Sequence, residues 1–210
     1  SPFGKEVVAE MNRLGMIVDV SHSAESTFWD VARTSKKPFI ASHSSAHALC
    51  PSPRNLKDDQ IKAVAAAGGL VGVCFFPPFL SDVYRLALTD RCSDIFASIE
   101  SVEKEHRDDP GRQSEAYTAL NRSLAGRLSD ISVPLSLVAD HIDHLIGLAG
   151  EDSVGLGSDF DGVFSLPDGV TGCDMYPALE AELRRRGYSE VRLTKLYREN
   201  FLRVLAAQDE

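Results

Sequence analysis

Basic residues are scarce in this chain. It has 22 Lys and Arg against 31 Asp and Glu, and its formal net charge is −9 at pH 7. Nothing in this balance would neutralise a phosphate backbone and release its counterions. The composition therefore excludes nucleic acid as a partner.

Long apolar runs and paired cysteines are also lacking. No apolar run approaches the roughly 20 residues that a membrane-spanning helix needs, so we expect no membrane segment in this chain. The four cysteines, Cys50, Cys74, Cys92 and Cys173, show no CxxC spacing, which argues against a zinc knuckle or a redox motif. We expect a reduced, cytoplasmic protein whose 210 residues, 43% of them hydrophobic, fold around an ordinary core.

Four short apolar runs predict β-strands. They are bounded by Gly, Pro or polar residues and show little alternation, which is typical of parallel strands that are covered on both faces. Apolar spacing predicts helices between them, including a long helical region over 84–148 that Pro110 and Gly111 interrupt. The predicted strands are 16–20, 38–41, 70–76 and 153–157, and the other predicted helices are 5–14, 24–35, 58–67, 177–186 and 189–207.

This alternation predicts an α/β fold with a parallel sheet and right-handed crossovers. No linker interrupts the chain, so we expect a single domain over 1–210, with 82–125 as a helical insertion. Four strands do not close a barrel, and the (β/α)₈ TIM-barrel architecture needs eight. The residues leave two alternatives open, a small open sheet or part of a barrel whose first half lies elsewhere.

Two neighbouring predicted strands end in the same tripeptide. The stretches IVDVSHS (17–23) and FIASHS (39–44) place His22 and His43 at their carboxyl ends, where functional groups collect in parallel α/β folds. Imidazoles on strands about 4.8 Å apart can share one divalent metal ion through their ring nitrogens. The pattern predicts either a metal site or two hydrogen-bonded core histidines.

Charged residues follow two of the predicted strands. The fourth strand ends in VGLGSDFDG, so Asp159 is a candidate metal ligand, general base or anchor for a substrate amine. Asp161 equally fits a turn before Gly162. Arg54 lies in HALCPSPRNL, where two prolines fix the loop and suit a guanidinium that binds a carboxylate through two hydrogen bonds. The alternative is an ordinary surface arginine.

A third pair of histidines lies on a predicted helix. His141 and His144 are three residues apart in VADHIDHL. The pattern lacks the glutamate of HExxH and of its inverse. We expect these side chains to form local hydrogen bonds and not to bind metal.

Four segments together resemble the membrane (renal-type) dipeptidase family, zinc peptidases with an amidohydrolase-like barrel. The resemblance runs through most of the chain and is weaker over 82–125. It is carried by two Ser-His strand ends, a Pro-x-Arg-Asn loop and GSDFDG, in that order. The segments are FGKEVVAEMNRLGMIVDVSH, ASHSSAHALCPSPRNLKDDQI, VADHIDHLIGLAGEDSVGLGSDFDG and ENFLRVL.

The resemblance implies a fold, an activity and a role for four residues. The predicted strands would be strands five to eight of a (β/α)₈ barrel. The activity would be zinc-dependent hydrolysis of dipeptides that have a free C-terminal carboxylate. His22 and His43 would hold one Zn²⁺ of a two-metal site, and Arg54 would bind the substrate carboxylate. Asp159 would be catalytic and would also contact the substrate amino end.

The chain also departs from the family pattern. The family's His-x-Asp pair, its bridging Glu and a further active-site His lie upstream of the matched region and are not among these 210 residues. Phe79 stands where mammalian members have a tyrosine near the active site. Cys50 matches a disulfide-forming cysteine whose partner position is Asp82 here, so we expect no disulfide.

These departures keep two alternative functions open. The chain could be an inactive fragment or a non-catalytic binding module that retains half of a metal site. It could also belong to another amidohydrolase-type enzyme that hydrolyses a C–N bond. A half barrel exposes sheet edges, so we expect a partner, either a second copy of the chain or the N-terminal half of the barrel.

Overall fold

Three parallel strands form the sheet in the computed structural model, which describes residues 1–209 except for the side chain of Glu100. They pair in chain order as β1 (Ile40–Ala41), β2 (Leu70–Val73) and β3 (Val154–Leu156). Val71 lies opposite Ala41 on one side and Val154 on the other. The sheet confirms the predicted mixed α/β class, and its strands are shorter than the predicted runs.

The first predicted strand, 16–20, is reduced to one bridge between Asp19 and Ile40. The Val20 amide donates to the Ile40 carbonyl at 2.8 Å, and the Ile40 amide donates to the Val18 carbonyl at 2.9 Å. These two bonds are too few for a ladder. They still hold 18–20 parallel to β1, so the two Ser-His ends lie at the same edge of the sheet.

Helices account for most of the remaining chain and follow the predicted order. The long region 84–148 consists of separate helices, and Pro110 begins one of them instead of lying in a turn. Within residues 1–209, no helix combines the length and the apolar character needed to cross a membrane. The first eight helices are α1 (Pro2–Arg13), α2 (Glu25–Thr34), α3 (Asp58–Ala66), α4 (Pro77–Leu80), α5 (Asp82–Arg91), α6 (Ser93–Glu105), α7 (Pro110–Arg127) and α8 (Ser136–Ala149).

The C-terminal helices follow β3. Ser189 caps the first turn of the last predicted helix by accepting from the Arg192 amide. That helix is divided by a π-helical turn over Lys195–Glu199. The C-terminal helices are α9 (Tyr176–Arg185), α10 (Glu190–Thr194) and α11 (Asn200–Ala206).

The core lies between the sheet and the two central helices. Val71 and Val73 of β2 are fully buried, together with Ile61 of α3 and Ile142 of α8. Burial of side chains of this size contributes about 1.5–3 kcal/mol each. This packing makes β2 the rigid centre of the sheet.

Two glycines, one in β2 and one directly after β3, allow the backbone of Ser42 to approach both strands closely. A Cβ atom on Gly72 or on Gly157 would collide with the Ser42 carbonyl oxygen, which is backbone and cannot rotate away. The Ser44 amide also donates to the Gly72 carbonyl at 2.8 Å. Glycine at both positions therefore sets where Ser42 and the adjacent histidine lie.

We predict that Gly157→Ala lowers the free energy of unfolding by about 1–3 kcal/mol, because the methyl group must displace the Ser42 backbone. Gly126→Ala is the control, since a Cβ atom there meets nothing within 4 Å and replaces glycine inside α7. That variant should gain up to about 1 kcal/mol. Urea denaturation measures both. Equal stability of Gly157→Ala and the unmodified chain would contradict the close approach.

Candidate metal and substrate site

His22 and His43 converge at the carboxyl edge of the sheet. Their Nε2 atoms are 2.8 Å apart, and their ring centroids are 4.9 Å apart. One ring follows the bridged segment and the other follows β1, so parallel pairing of these segments brings residues 21 positions apart into contact. The predicted proximity of the two histidines is confirmed by this geometry.

Backbone strain marks two of the predicted site residues. His22 has φ of 68° and Asp159 has φ of 60°, and they are the non-glycine residues with positive φ among residues 1–209. Each such conformation costs on the order of 1–3 kcal/mol and persists where the surrounding structure enforces it. Strain of this kind clusters at functional sites, which favours a functional interpretation of both positions.

The His43 ring is held by a chain of side-chain hydrogen bonds. Its Nδ1 lies 2.8 Å from the Ser42 hydroxyl oxygen, and that hydroxyl donates to Asp19 Oδ2 at 2.5 Å. Asp19 Oδ1 also accepts from the Ser42 amide at 3.0 Å and from the Ser21 amide at 2.9 Å. The Asp19 carboxylate thus connects the two strand ends.

Sequence reasoning missed Asp19, Ser21 and Ser42. The Ser21 hydroxyl accepts from the His43 amide at 3.0 Å, so the serine before each histidine helps to position His43. Two signals were available, a charged residue inside the apolar run IVDVSHS and the serine repeated before each histidine. Both depend on contacts between residues that are more than 20 positions apart.

Arg54 joins the two histidines from the loop after β1. Its Nη2 donates to His43 Nε2 at 3.3 Å, and its guanidinium lies 5.2 Å from the centroid of the Phe79 ring. Asn55 fixes this loop, because its Nδ2 donates to the Cys50 and Phe79 carbonyls at 2.9 and 2.8 Å. Arg54 is therefore a positioned side chain, and Asn55, which the sequence analysis named only as part of the Pro-x-Arg-Asn loop, holds that loop in place.

The positive charge of Arg54 affects the neighbouring imidazole. Desolvation first, and then the Arg54 guanidinium and the His43 ring, lower the pKa of His22 below its ordinary value. Desolvation also lowers the pKa of Arg54. The neutral imidazole form of His22 is favoured, and neutral imidazole is the form that binds metal ions.

Two cavities open beside this cluster. The first, of about 430 Å³, is lined by His22, Arg54 and His47, among others. The second, of about 340 Å³, is lined by His43, Asp159 and others. Volumes in this range match small-ligand pockets, and one of the two histidines lines each cavity.

Asp159 lies in the second cavity and makes no hydrogen bond to the histidines among the described residues. Asp161 and Tyr176 line the same cavity. A turn follows Asp159, since the Gly162 amide donates to its carbonyl at 3.1 Å, and a Cβ on Gly162 would collide with the Asp159 carboxylate. The structure thus combines the predicted turn with a carboxylate that borders the cavity of His43.

The histidines of α8 have structural contacts instead. His141 is 1% exposed, its Nδ1 accepts from the Ala46 amide at 3.0 Å, and its Nε2 lies 3.2 Å from the Leu80 carbonyl. His144 Nε2 lies 3.1 Å from Asp58 Oδ1. The prediction of local partners was wrong, because these partners lie 61 to 95 positions away. The α8 histidines tie this helix to α3, to the loop after β1 and to the last residue of α4.

The donor set fits one side of a zinc site. Two nitrogens on one tetrahedral zinc ion lie about 3.3 Å apart, and the Nε2 atoms of His22 and His43 would need to separate by only about half an ångström from 2.8 Å. Arg54 has no acceptor atom, so its 3.3 Å contact fits a lone pair on His43 Nε2. No group of three or more His, Cys, Asp or Glu side chains that could hold a metal ion occurs among the side chains that the structure describes.

A parallel sheet whose strand ends carry paired histidines is typical of metal-dependent hydrolases. Residues 1–210 match the sequence model of the membrane dipeptidase family, peptidase family M19. The chain therefore belongs to this family of metallodipeptidases.

Similar proteins of known sequence or structure agree with this assignment. A Klebsiella pneumoniae protein described as an uncharacterised protein in the pqqA 5′ region is 38% identical over 202 residues, which are 96% of this chain and 58% of that protein. The Rhodobacter sphaeroides metallopeptidase liganded with a phosphinate mimic of L-Ala-D-Ala is 35% identical, with a TM-score of 0.72 over 98% of this chain and 46% of that one.

A further solved structure is the probable dipeptidase PvdM from Pseudomonas aeruginosa. It is 28% identical, with a TM-score of 0.75 over 99% of this chain and 54% of that one. The chain thus spans about half the length of the relatives that it matches.

The buried His141 makes stability depend on pH. Burial lowers the pKa of His141 to about 4, below the ordinary value of about 6.5, so the unfolded chain takes up a proton that the folded chain excludes. The free energy of unfolding should therefore fall by about 1.4 kcal/mol for each pH unit between about 6.5 and 4 through this group alone.

His141→Gln should remove this component of the pH dependence. The control is His106→Gln, directly after α6, which should retain it. Urea denaturation from about pH 7.5 to 4.5 measures the slope for each variant. Identical slopes for His141→Gln and the unmodified chain would show that His141 does not titrate with folding.

Proposed function

We propose that the chain provides the C-terminal half of a zinc-dependent dipeptidase that hydrolyses dipeptides with a free C-terminal carboxylate. The observation that carries the proposal is the convergence of three side chains at one edge of the sheet. His22 Nε2 and Arg54 Nη2 both lie within hydrogen-bond distance of His43 Nε2. Two metal ligands and one carboxylate-binding cation are thereby adjacent, as a metallodipeptidase requires.

The sheet is proposed to be strands five to eight of a (β/α)₈ barrel. Three parallel strands and the bridged segment 18–20 follow one another in chain order, which is how consecutive strands of such a barrel are arranged. The coverage of about half of each relative supports an incomplete barrel.

Exposed apolar side chains support the same proposal. Phe3 and Val7 on α1 and Phe201 and Leu205 on α11 are each more than 40% exposed. Such patches mark interaction surfaces. We propose that the N-terminal half of the barrel covers them and supplies the remaining metal ligands, and a second copy of the chain is the alternative partner.

His22 and His43 would hold one Zn²⁺ through their Nε2 atoms. Zinc at such a site supplies Lewis acidity toward a carbonyl and a nucleophile at neutral pH. The chain's own residues then orient the dipeptide. Arg54 binds the C-terminal carboxylate with its planar guanidinium, while stacking on Phe79 and the bonds of Asn55 keep the loop in place.

Asp159 would serve the amino end of the substrate. Its carboxylate borders the same cavity as His43, so it can anchor a protonated amine or accept a proton during turnover. The left-handed φ of 60° at this residue carries an energetic cost of the kind that clusters at functional sites, which supports a role for Asp159 there. A cytoplasmic location remains a prediction from the sequence.

A second candidate function is a binding module that retains half of a metal site. It is favoured by one observation, that the side chains described by the structure include no group of three metal-ligating residues. A chain that acts alone in this way would bind zinc weakly and would not hydrolyse dipeptides.

We predict that His22→Ala and His43→Ala in the full-length protein each reduce bound zinc and reduce dipeptide hydrolysis by at least about 100-fold, because each removes a metal ligand. His106→Ala is the control. Metal analysis and kcat/KM for a dipeptide are the measurements. Undiminished zinc content and activity in both site variants would contradict the metal assignment, and no activity in the unmodified protein would favour the binding module.

We also predict that Arg54→Lys raises KM for a dipeptide about 10-fold or more, since lysine cannot form two parallel hydrogen bonds to a carboxylate. The control substrate is a dipeptide amide, which has no carboxylate. Its KM should differ much less between Arg54→Lys and the unmodified protein. Equal KM values for the free dipeptide would contradict this role.

A further inference from the structure

A carboxylate, a hydroxyl and an imidazole lie in line behind the candidate metal site. Asp19 Oδ2, Ser42 Oγ and His43 Nδ1 are linked at 2.5 and 2.8 Å. The direction of each hydrogen bond follows from what the groups can donate. An ionised carboxylate only accepts, so the single hydroxyl proton of Ser42 points at Asp19.

This direction determines the tautomer of His43. With its proton on Asp19, the Ser42 oxygen can only accept from the ring, and Nδ1 must therefore carry the hydrogen. The opposite end of the ring is consistent with this tautomer. Arg54 Nη2 can only donate, so its long contact of 3.3 Å with His43 Nε2 fits a lone pair on that atom, and the 2.8 Å contact between the two Nε2 atoms fits either direction.

We propose that Asp19 and Ser42 are positioning residues that keep the proton of His43 on Nδ1, which leaves Nε2 free to bind a metal ion. The role of the metal rests on the proposed function, but the tautomer does not. Ligating histidines are commonly oriented by such a partner on the other ring nitrogen, and loss of that partner costs about 10–100-fold in metal affinity.

Asp19→Asn tests the hydrogen bonds that link Asp19, Ser42 and His43, because asparagine has nearly the same shape as aspartate. Oδ1 of residue 19 accepts from two amides, those of Ser21 and Ser42, so the carbonyl oxygen of the introduced amide must stay there. Its NH₂ group then faces the Ser42 oxygen and donates to it. Ser42 is left to donate to His43 Nδ1, and the ring proton must move to Nε2.

The experiment is ¹⁵N–¹H correlation of histidine-labelled, metal-free full-length protein at about pH 8, where imidazole is neutral. His43→Gln assigns the signals. We expect the proton on Nδ1 in the unmodified protein and on Nε2 in Asp19→Asn. Ser42→Ala should show both tautomers, because the hydroxyl that selects Nδ1–H is removed and the long Arg54 contact of 3.3 Å does not fix one form.

Zinc affinity is the second measurement. Asp19→Asn should weaken it about 10–100-fold, and the double variant with Ser42→Ala should weaken it no more than Ser42→Ala alone, since the reversed bond needs the hydroxyl. Ser132→Ala is the matched control, because it removes a serine–aspartate bond of the same length, to Asp168, on the exposed surface. It should change neither quantity.

The proposal is overturned if the proton stays on Nδ1 in a folded Asp19→Asn protein, whatever happens to zinc affinity. If Asp19→Asn does not fold, a single Nδ1–H tautomer in Ser42→Ala overturns it instead. Failure of the proposed function has a different signature, since zinc would then bind equally well after His22→Ala while the tautomer shifts remained.

Discussion

The pairing of segment 18–20 with β1 is the interaction on which the candidate site depends. Two backbone hydrogen bonds, at 2.8 and 2.9 Å, join Val20 and Val18 to Ile40, and the Asp19 carboxylate continues the connection to the Ser42 amide at 3.0 Å. A slip of one residue would turn every side chain of the segment to the other face. The register therefore decides whether His22 meets His43.

The site combines strain with rigid support. His22 and Asp159 adopt left-handed backbone conformations, which cost free energy that the buried core around β2 must offset. Rigid support comes from Gly72 and Gly157, against which the Ser42 carbonyl oxygen packs closely. Asn55 gives the Arg54 loop a comparable anchor through two carbonyl hydrogen bonds. Side chains that bind a metal ion need neighbouring residues that hold them in a fixed geometry.

The sequence allowed the class of fold and the proximity of His22 and His43 to be predicted, because parallel strand ends share one edge of a sheet. The place of Arg54 beside them followed only from the family resemblance. Segment 16–20 was harder, since its apolar pattern cannot show that it pairs through only one bridge. Asp19 and Ser42 act through a contact between residues 23 positions apart, which periodicity does not encode. The distant partners of His141 were missed for the same reason.

The central claim is that His22 and His43 present their Nε2 atoms to one metal ion while Asp19 and Ser42 hold the other side of His43. A crystal structure of the full-length, zinc-loaded protein tests it most directly. The account predicts one zinc ion bound by both Nε2 atoms at about 2.0–2.1 Å, with Ser42 still hydrogen-bonded to His43 Nδ1. Zinc bound through Nδ1 of His43, or bound elsewhere with the two imidazoles in mutual contact, would contradict it.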